Sequence, residues 1–176
     1  MSDDLGDLAS IFDPRLNVCV VRRRHGVPSV DMSATHGEHW RSFGRADEAL
    51  ASGLPSLDED LRLLVEVLID LTGAAEVGVR ARRTPSPMCP QFHVDHVPLR
   101  LVCTYWGPGT DWLDESTPET AVRSRSNVRL GRVRSAHRGD LVLLKGESWP
   151  GNEGRGAVHR SPAHTSDRLV VSLDPL

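Results

Sequence analysis

From Gly73 to its C-terminus the sequence breaks into short runs in which apolar and polar residues alternate, with prolines between them. Val77, Val79 and Ala81 alternate with charged or small neighbours. Leu99 to Tyr105, Asn127 to Leu130, Leu141 to Leu144, Ala157 to His159 and Arg168 to Leu173 follow the same two-residue period. Such runs predict short, half-buried strands. Pro85, Pro87, Pro90, Pro98, Pro108, Pro150 and Pro162 fall between the runs or at their ends, where proline does least harm to a sheet. Six or more short strands point to a sandwich or barrel of the jelly-roll type, with helices supporting one face.

The supporting helix is predicted over Ser56 to Thr72. Ser56 and Glu59 have the spacing of a capping box, Asp58 and Asp60 suit the positive end of the dipole, and Gly73 can stop the helix. Leu57, Leu61, Leu64, Val65, Leu68 and Leu71 form its apolar face. It reads as a prop outside the sheet, with no chemistry of its own. Upstream, Leu16, Val18 and Val20 alternate like a strand that the Arg22-Arg23-Arg24 run ends, and the segment with His25, His36 and His39 is mixed and polar. The expected organisation is an N-terminal extension, residues 1–55, packed on a core of residues 56–176. The fold class is mainly β with α support.

A net charge of −3 over 176 residues argues against a dedicated nucleic-acid binder. Six arginines and no acid between Ala121 and Gly139 form either a solvated basic loop or an anion-binding lip. Cys19, Cys89 and Cys103 are odd in number and widely spaced, which argues against a disulfide framework. No apolar run approaches the ~20 residues of a membrane span. The acidic start lacks a signal-peptide pattern, so a cytoplasmic location is expected.

The residues with chemical potential are His93, Asp95, His159 and Arg168. Two positions apart on an extended segment, His93 and Asp95 point the same way and can reach one metal. A distant histidine on a neighbouring strand completes a 2-His-1-carboxylate set, which suits iron(II), manganese or zinc and leaves one face open. Arg168 opens the apolar last strand and shares a face with Val170 and Ser172. Turned inward it needs an anion, and bidentate carboxylate binding is what a guanidinium does best. Turned outward it could pair with Asp167. His137 and His164 read as loop histidines, His164 also as a possible partner behind a metal ligand. Trp106, Trp112 and Trp149 fall around the presumed mouth of a cavity, and Lys145 and Glu147 read as a charged turn.

In this order the residues resemble the double-stranded β-helix of the iron(II)/2-oxoglutarate oxygenases, over about residues 75–174. The resemblance implies His93, Asp95 and His159 as metal ligands and Arg168 as partner of the far carboxylate of 2-oxoglutarate. It also implies Tyr105, on the strand after the His-x-Asp, near the cosubstrate. Gly139-Asp-Leu-Val-Leu-Leu144 resembles the strand that precedes the second histidine in that superfamily. Ser172 follows Arg168 by four positions, where many of those oxygenases have Arg-x-Ser. The strings Cys89-Pro-Gln-Phe-His-Val-Asp95, Gly107-Pro-Gly-Thr-Asp-Trp-Leu113, Trp149-Pro-Gly-Asn152 and Val158-His-Arg-Ser-Pro162 are similar to a family of bacterial domains of unknown function.

The resemblance implies a 2-oxoglutarate-dependent dioxygenase using Fe(II) and acting on a small molecule, and the arginine-rich 121–139 segment points to an anionic one. Two alternatives stay open. Cys89 and His93 with His159 and Asp95 or His96 could close a tetrahedral zinc site that stores, delivers or senses metal without catalysis. A β-helix without metal could serve as an interaction module.

Overall fold

The structure is a computed structural model, and it describes residues 4–23, 25–35, 37–45, 53–114, 132–163 and 167–176. Nine strands and one α-helix lie among them: β1 (Val18–Val21), β2 (Glu38–Gly44), α1 (Asp58–Thr72), β3 (Glu76–Thr84), β4 (Leu99–Trp106), β5 (Asp111–Leu113), β6 (Val133–Ser135), β7 (Leu141–Lys145), β8 (His159–Arg160) and β9 (Arg168–Pro175). Short 3-10 helices cover Leu5–Phe12, Met32–Ala34 and Pro55–Leu57.

Six strands form one sheet in the order β1-β7-β4-β9-β3-β2, and three form a second in the order β6-β5-β8. Every pairing is antiparallel. In the large sheet only β2 and β3 are neighbours both in sequence and in space. Distant segments are therefore sewn together throughout.

Alternation along the strands builds two cores on the two faces of the large sheet. Val77, Val79, Leu101, Cys103, Tyr105, Leu143, Val171 and Leu173 face α1 and the N-terminal 3-10 helix, meeting Leu8, Ile11, Leu61, Leu64 and Leu68. Val20, Val102, Val142, Leu144 and Val170 face the other way and meet Trp112 of the small sheet with Ala136 and Ala157. The second core is the smaller, and the candidate site opens beside it.

Several expectations change here. The Ser56–Glu59 capping box does not form: a 3-10 turn with Pro55 leads into α1, whose N-cap is Leu57 and has no side-chain cap. Gly73 ends the helix as expected, in the left-handed region at φ 71°. The helix also carries a buried acid. Asp60 is buried and accepts hydrogen bonds from Tyr105 Oη and from Arg23, the latter at 2.6 Å. Residues 1–55 are more than an extension packed on the core, because they supply both edge strands of the large sheet. The polar His25–His39 region leads into β2, a strand hidden by its exposed, unpatterned side chains. Asn127 to Leu130 lies outside the described residues, as does most of the arginine-rich segment. Lys145 belongs to no charged turn: it is buried, its Nζ donates to the Asp13 carbonyl at 2.9 Å, and it lies over the Trp149 ring. None of the three cysteines is in a disulfide, as their spacing predicts.

Candidate metal centre

His93 and His159 are joined through their backbones. Each donates its N–H to the other's carbonyl, at 3.0 and 2.9 Å, as an isolated antiparallel bridge. The rings come to 4.5 Å between centroids. Asp95 is positioned by the turn after β7, where Glu147 N donates to the Asp95 carbonyl at 2.8 Å and Gly146 N to the Pro98 carbonyl at 3.0 Å. Only glycine fits at 146: a Cβ there would stand 1.9 Å from the Val97 carbonyl oxygen and 2.7 Å from that of Asp95. A Cβ at Gly156 would stand 2.2 Å from Val94 Cγ1. The close approach of three chain segments is what holds the His-x-Asp element beside β8.

One ligand atom from each of His93, Asp95 and His159 lies within 4.8 Å of the others. The imidazole tautomers favour a cation. Nδ1 of His93 faces the Gln91 carbonyl and Nδ1 of His159 the Ala157 carbonyl, both at 3.0 Å. A carbonyl can only accept, so those nitrogens carry protons, and in the neutral rings Nε2 holds the lone pair. Both Nε2 atoms point at Asp95, at 3.7 Å for His93 and 3.4 Å for His159. Two lone pairs and a carboxylate aimed at one point fit a divalent metal.

Burial by itself would raise the Asp95 carboxyl. A hydrogen bond from protonated His159, with Arg100 and His93 beside it, outweighs it and holds the group at about 2; with the rings neutral, as metal binding requires, the cation would take that role. Arg100 binds Asp95 Oδ2 at 2.7 Å and grips Asp174 with Nε and a second nitrogen at 2.6 and 2.7 Å. One carboxylate oxygen is thereby occupied, and Oδ1 is left for a metal.

The triad opens into a cavity of about 250 Å³ between the sheets. Arg168, Val170 and Ser172 line it together, as their shared strand face requires, with Val102 beside them on β4 and Thr110 just before β5. Arg168 faces inward and is 2% exposed. Its Nε donates to the Pro108 carbonyl at 2.8 Å and another nitrogen to Thr104 Oγ1 at 3.1 Å. Among the described residues no carboxylate forms an ion pair with it. Asp167, the expected outward partner, pairs instead with Arg83 at 2.9 Å. Burial pulls the Arg168 guanidinium down to about 10, against an opposing pull from Asp111.

The structure departs from the sequence reading at other residues. Tyr105 does not line the cavity. It occupies the opposite face of β4, fully buried in the helix-side core, where burial and the Asp60 carboxylate push its hydroxyl well above its ordinary range. Strand alternation is the cause: with Val102 turned to the cavity, Cys103 and Tyr105 must face the helix. Cys89 lines the cavity but lies outside the ligand cluster, and His96 is exposed and belongs to neither. The tetrahedral zinc arrangement is therefore not assembled among the described residues. Trp106, Trp112 and Trp149 line no part of this cavity; Trp112 packs in the inter-sheet core and Trp149 stacks near Phe12 at 5.7 Å. His137 is an exposed loop residue beside Asp140, and His164 lies outside the described residues.

Four lining arginines were not anticipated: Arg80, Arg82, Arg100 and Arg160. Arg160 lies over the Phe92 ring at 4.3 Å and contacts Asp111 at 3.1 Å. Alternation in β4 could have revealed Arg100, since it shares a face with Val102, whereas Arg80 and Arg82 resemble any charged outer face of a strand.

The model of one protein family matches residues 27–174 and carries the description protein of unknown function, DUF1826. The chain belongs to the DUF1826 family. No curated protein matches this member of the family. Solved structures resemble it over nearly its whole length. Dioxygenase for auxin oxidation 1 from Arabidopsis thaliana, in complex with 2-oxoglutarate, is 11% identical with a TM-score of 0.56, covering 98% of this chain and 87% of its own. Its rice counterpart is 16% identical with a TM-score of 0.55, covering 99% and 82%. A Pseudomonas putida prolyl-4-hydroxylase is 9% identical with a TM-score of 0.54, covering 97% of each. At these identities the likeness is one of fold. This DUF1826 protein therefore has a mostly β, antiparallel architecture like that of the 2-oxoglutarate/iron(II) oxygenases, with a possible His-Asp-His metal site.

Proposed function

We propose that this protein is an iron(II)/2-oxoglutarate-dependent oxygenase built on a double-stranded β-helix. The observation that carries the reading is Arg168: a fully buried guanidinium with no ion-pair partner among the described residues, in the same cavity as a His-Asp-His cluster. A buried cation paired only with neutral groups is costly, and an incoming carboxylate would relieve the cost. The fold likeness to an oxygenase solved with 2-oxoglutarate supports the same cosubstrate.

In this reading His93 Nε2, His159 Nε2 and the Asp95 carboxylate would hold the iron, and Arg100, which donates to Asp95 Oδ2, keeps that carboxylate oriented. Bound iron(II) would supply oxidation of a substrate by dioxygen, coupled to decarboxylation of 2-oxoglutarate to succinate. Arg168 binds the far carboxylate of the cosubstrate, with Ser172 and Thr110 as neutral partners along the cavity. Val102 and Val170 form an apolar wall that limits water around the reacting atoms.

The test is spectroscopic. Protein purified without chelator or histidine tag and given iron(II) and 2-oxoglutarate anaerobically is expected to develop a weak visible charge-transfer band. Arg168→Met should retain iron but lose the dependence on 2-oxoglutarate. A protein that binds iron and never forms the band, or forms it equally in Arg168→Met, overturns the reading. Zinc held through Cys89 and lost in Cys89→Ser would point instead to a closed metal-binding site.

A further inference from the structure

The small sheet covers only part of the inner face of the large one. The inter-sheet core includes residues of β1, β7, β4 and β9 and none of β2 or β3. On that uncovered side β3 presents Arg80 and Arg82, in register with Ser172 and Val170 of β9 and with Trp40 and Glu38 of β2. Trp40 is 56% exposed. Both arginines line the cavity that holds the His-Asp-His cluster.

Their partners leave them unsatisfied. Arg80 Nε and Arg82 Nε approach the same carboxylate, Glu38, at 3.4 and 3.3 Å. Among the described residues a terminal nitrogen of Arg82 finds only the Met88 thioether, a weak acceptor. Two guanidinium groups thus share one acid through their inner nitrogens, and both side chains are more than 40% exposed. The wider charge balance has the same sign. Five arginines line the cavity, and the carboxylates touching them are Asp95, Asp111, Asp174 and Glu38. A divalent metal adds two positive charges and 2-oxoglutarate removes two. One positive charge remains, and the arginines without a full carboxylate partner outside the cosubstrate position are Arg80 and Arg82.

We propose that Arg80 and Arg82 bind an anionic group of the substrate, a carboxylate or a phosphate, with the Trp40 ring as an apolar plate for its body. The assignment of that ligand as substrate rests on the oxygenase reading. The anion site itself rests on the arginines. Held at β3, the anion leaves the rest of the molecule to reach along the sheet toward His93 and His159. The cavity of about 250 Å³ is small for a cosubstrate and a whole substrate together. The substrate would therefore enter by one end and keep its charged end at the rim.

The test uses protein loaded anaerobically with iron(II) and 2-oxoglutarate, so that Arg168 is already engaged. Phenyl phosphate, benzoate and the neutral benzyl alcohol are titrated by calorimetry and by tryptophan fluorescence. At least one anion is expected to bind at least about tenfold more tightly than benzyl alcohol, and to weaken as salt rises. Preference between the two anions separates phosphate from carboxylate. Arg80→Gln/Arg82→Gln should weaken the anion at least about tenfold and leave the charge-transfer band intact; Arg80→Lys/Arg82→Lys should retain part of the binding. Benzyl alcohol binding as well as the anions, neither anion binding, or unchanged binding in the glutamine variant overturns the proposal. If the band never forms but phenyl phosphate or benzoate still binds through Arg80 and Arg82, the oxygenase reading fails and the anion site stands.

Discussion

Arg168 and Arg100, both at the inner face, differ in what they face, and that difference sets what each substitution does. Arg168 is buried against neutral acceptors. Replacing an unpaired buried cation by an apolar group of similar length removes a desolvation penalty. Arg168→Met is therefore expected to change the stability of the ligand-free protein by no more than about 1 kcal/mol, read by urea denaturation. The same variant should lose the thermal stabilisation that 2-oxoglutarate gives the wild type. Arg100 faces two carboxylates, Asp95 and Asp174. The Asp95 carboxyl sits at about 2, below its ordinary 3.8, so its stabilising contribution is present above about pH 4 and fades as pH falls toward 2. Removing Arg100 removes one of the cations opposing burial. Arg100→Gln should weaken manganese binding about tenfold at neutral pH, because Asp95 loses the partner that fixes its carboxylate. Unchanged manganese affinity would show that Arg100 does not act through Asp95. Tyr105, expected at the cosubstrate, serves the opposite core. Tyr105→Phe should cost about 1 kcal/mol through its lost hydrogen bond to Asp60 and leave manganese and 2-oxoglutarate binding unchanged.

At the scale of elements, the site depends on close packing of irregular chain between strands. The His93–His159 bridge, the Asp95 turn and the loop after β7 meet where Gly146 and Gly156 leave no room for a side chain. Gly146→Ala would push a methyl group onto the Val97 carbonyl, and the backbone must yield. The expected cost is about 3 kcal/mol, with metal affinity falling further than the lost stability accounts for, because the displaced segment carries Asp95. Thermal denaturation with manganese titration checks both. Alternation explains much of what was legible at this scale. Val77, Val79 and Ala81, Leu99 to Tyr105, and Arg168 to Leu173 all lie in strands where the two-residue period placed them. β2 was hidden because, as an edge strand with mostly exposed side chains, it has no apolar face to pattern. The helix start was misplaced because Pro55 initiates a 3-10 turn that takes over the role of the side-chain cap.

For the whole molecule, both edges of the large sheet come from the first 45 residues, and the N-terminal 3-10 helix buries Leu8 and Ile11 in the main core. Deleting residues 1–21 would strip β1 from β7 and uncover that core. The shortened protein is expected to lose cooperative unfolding and fall largely into the insoluble fraction; a soluble form with a single sharp transition would show that the N-terminal strand is dispensable. The N-terminal 3-10 helix packs in the helix-side core and the metal centre opens on the other face of the same sheet, so manganese should stabilise the whole chain, by about 2.7 kcal/mol at a hundredfold excess over its Kd, read as a higher melting temperature. What the sequence by itself determined is local: the period of the strands, the stop at Gly73, and the His-x-Asp pair whose side chains must share a face. The tertiary structure decided which face each strand turns inward. Alternation defines two faces without saying which meets the helix and which meets the small sheet, so it could not correct the resemblance, which put Tyr105 near the cosubstrate. It also decided which charges find partners, and left Arg168, Arg80 and Arg82 short of acids. Pairing across a sheet sewn from distant strands is set by the fold, and spacing along the chain does not encode it.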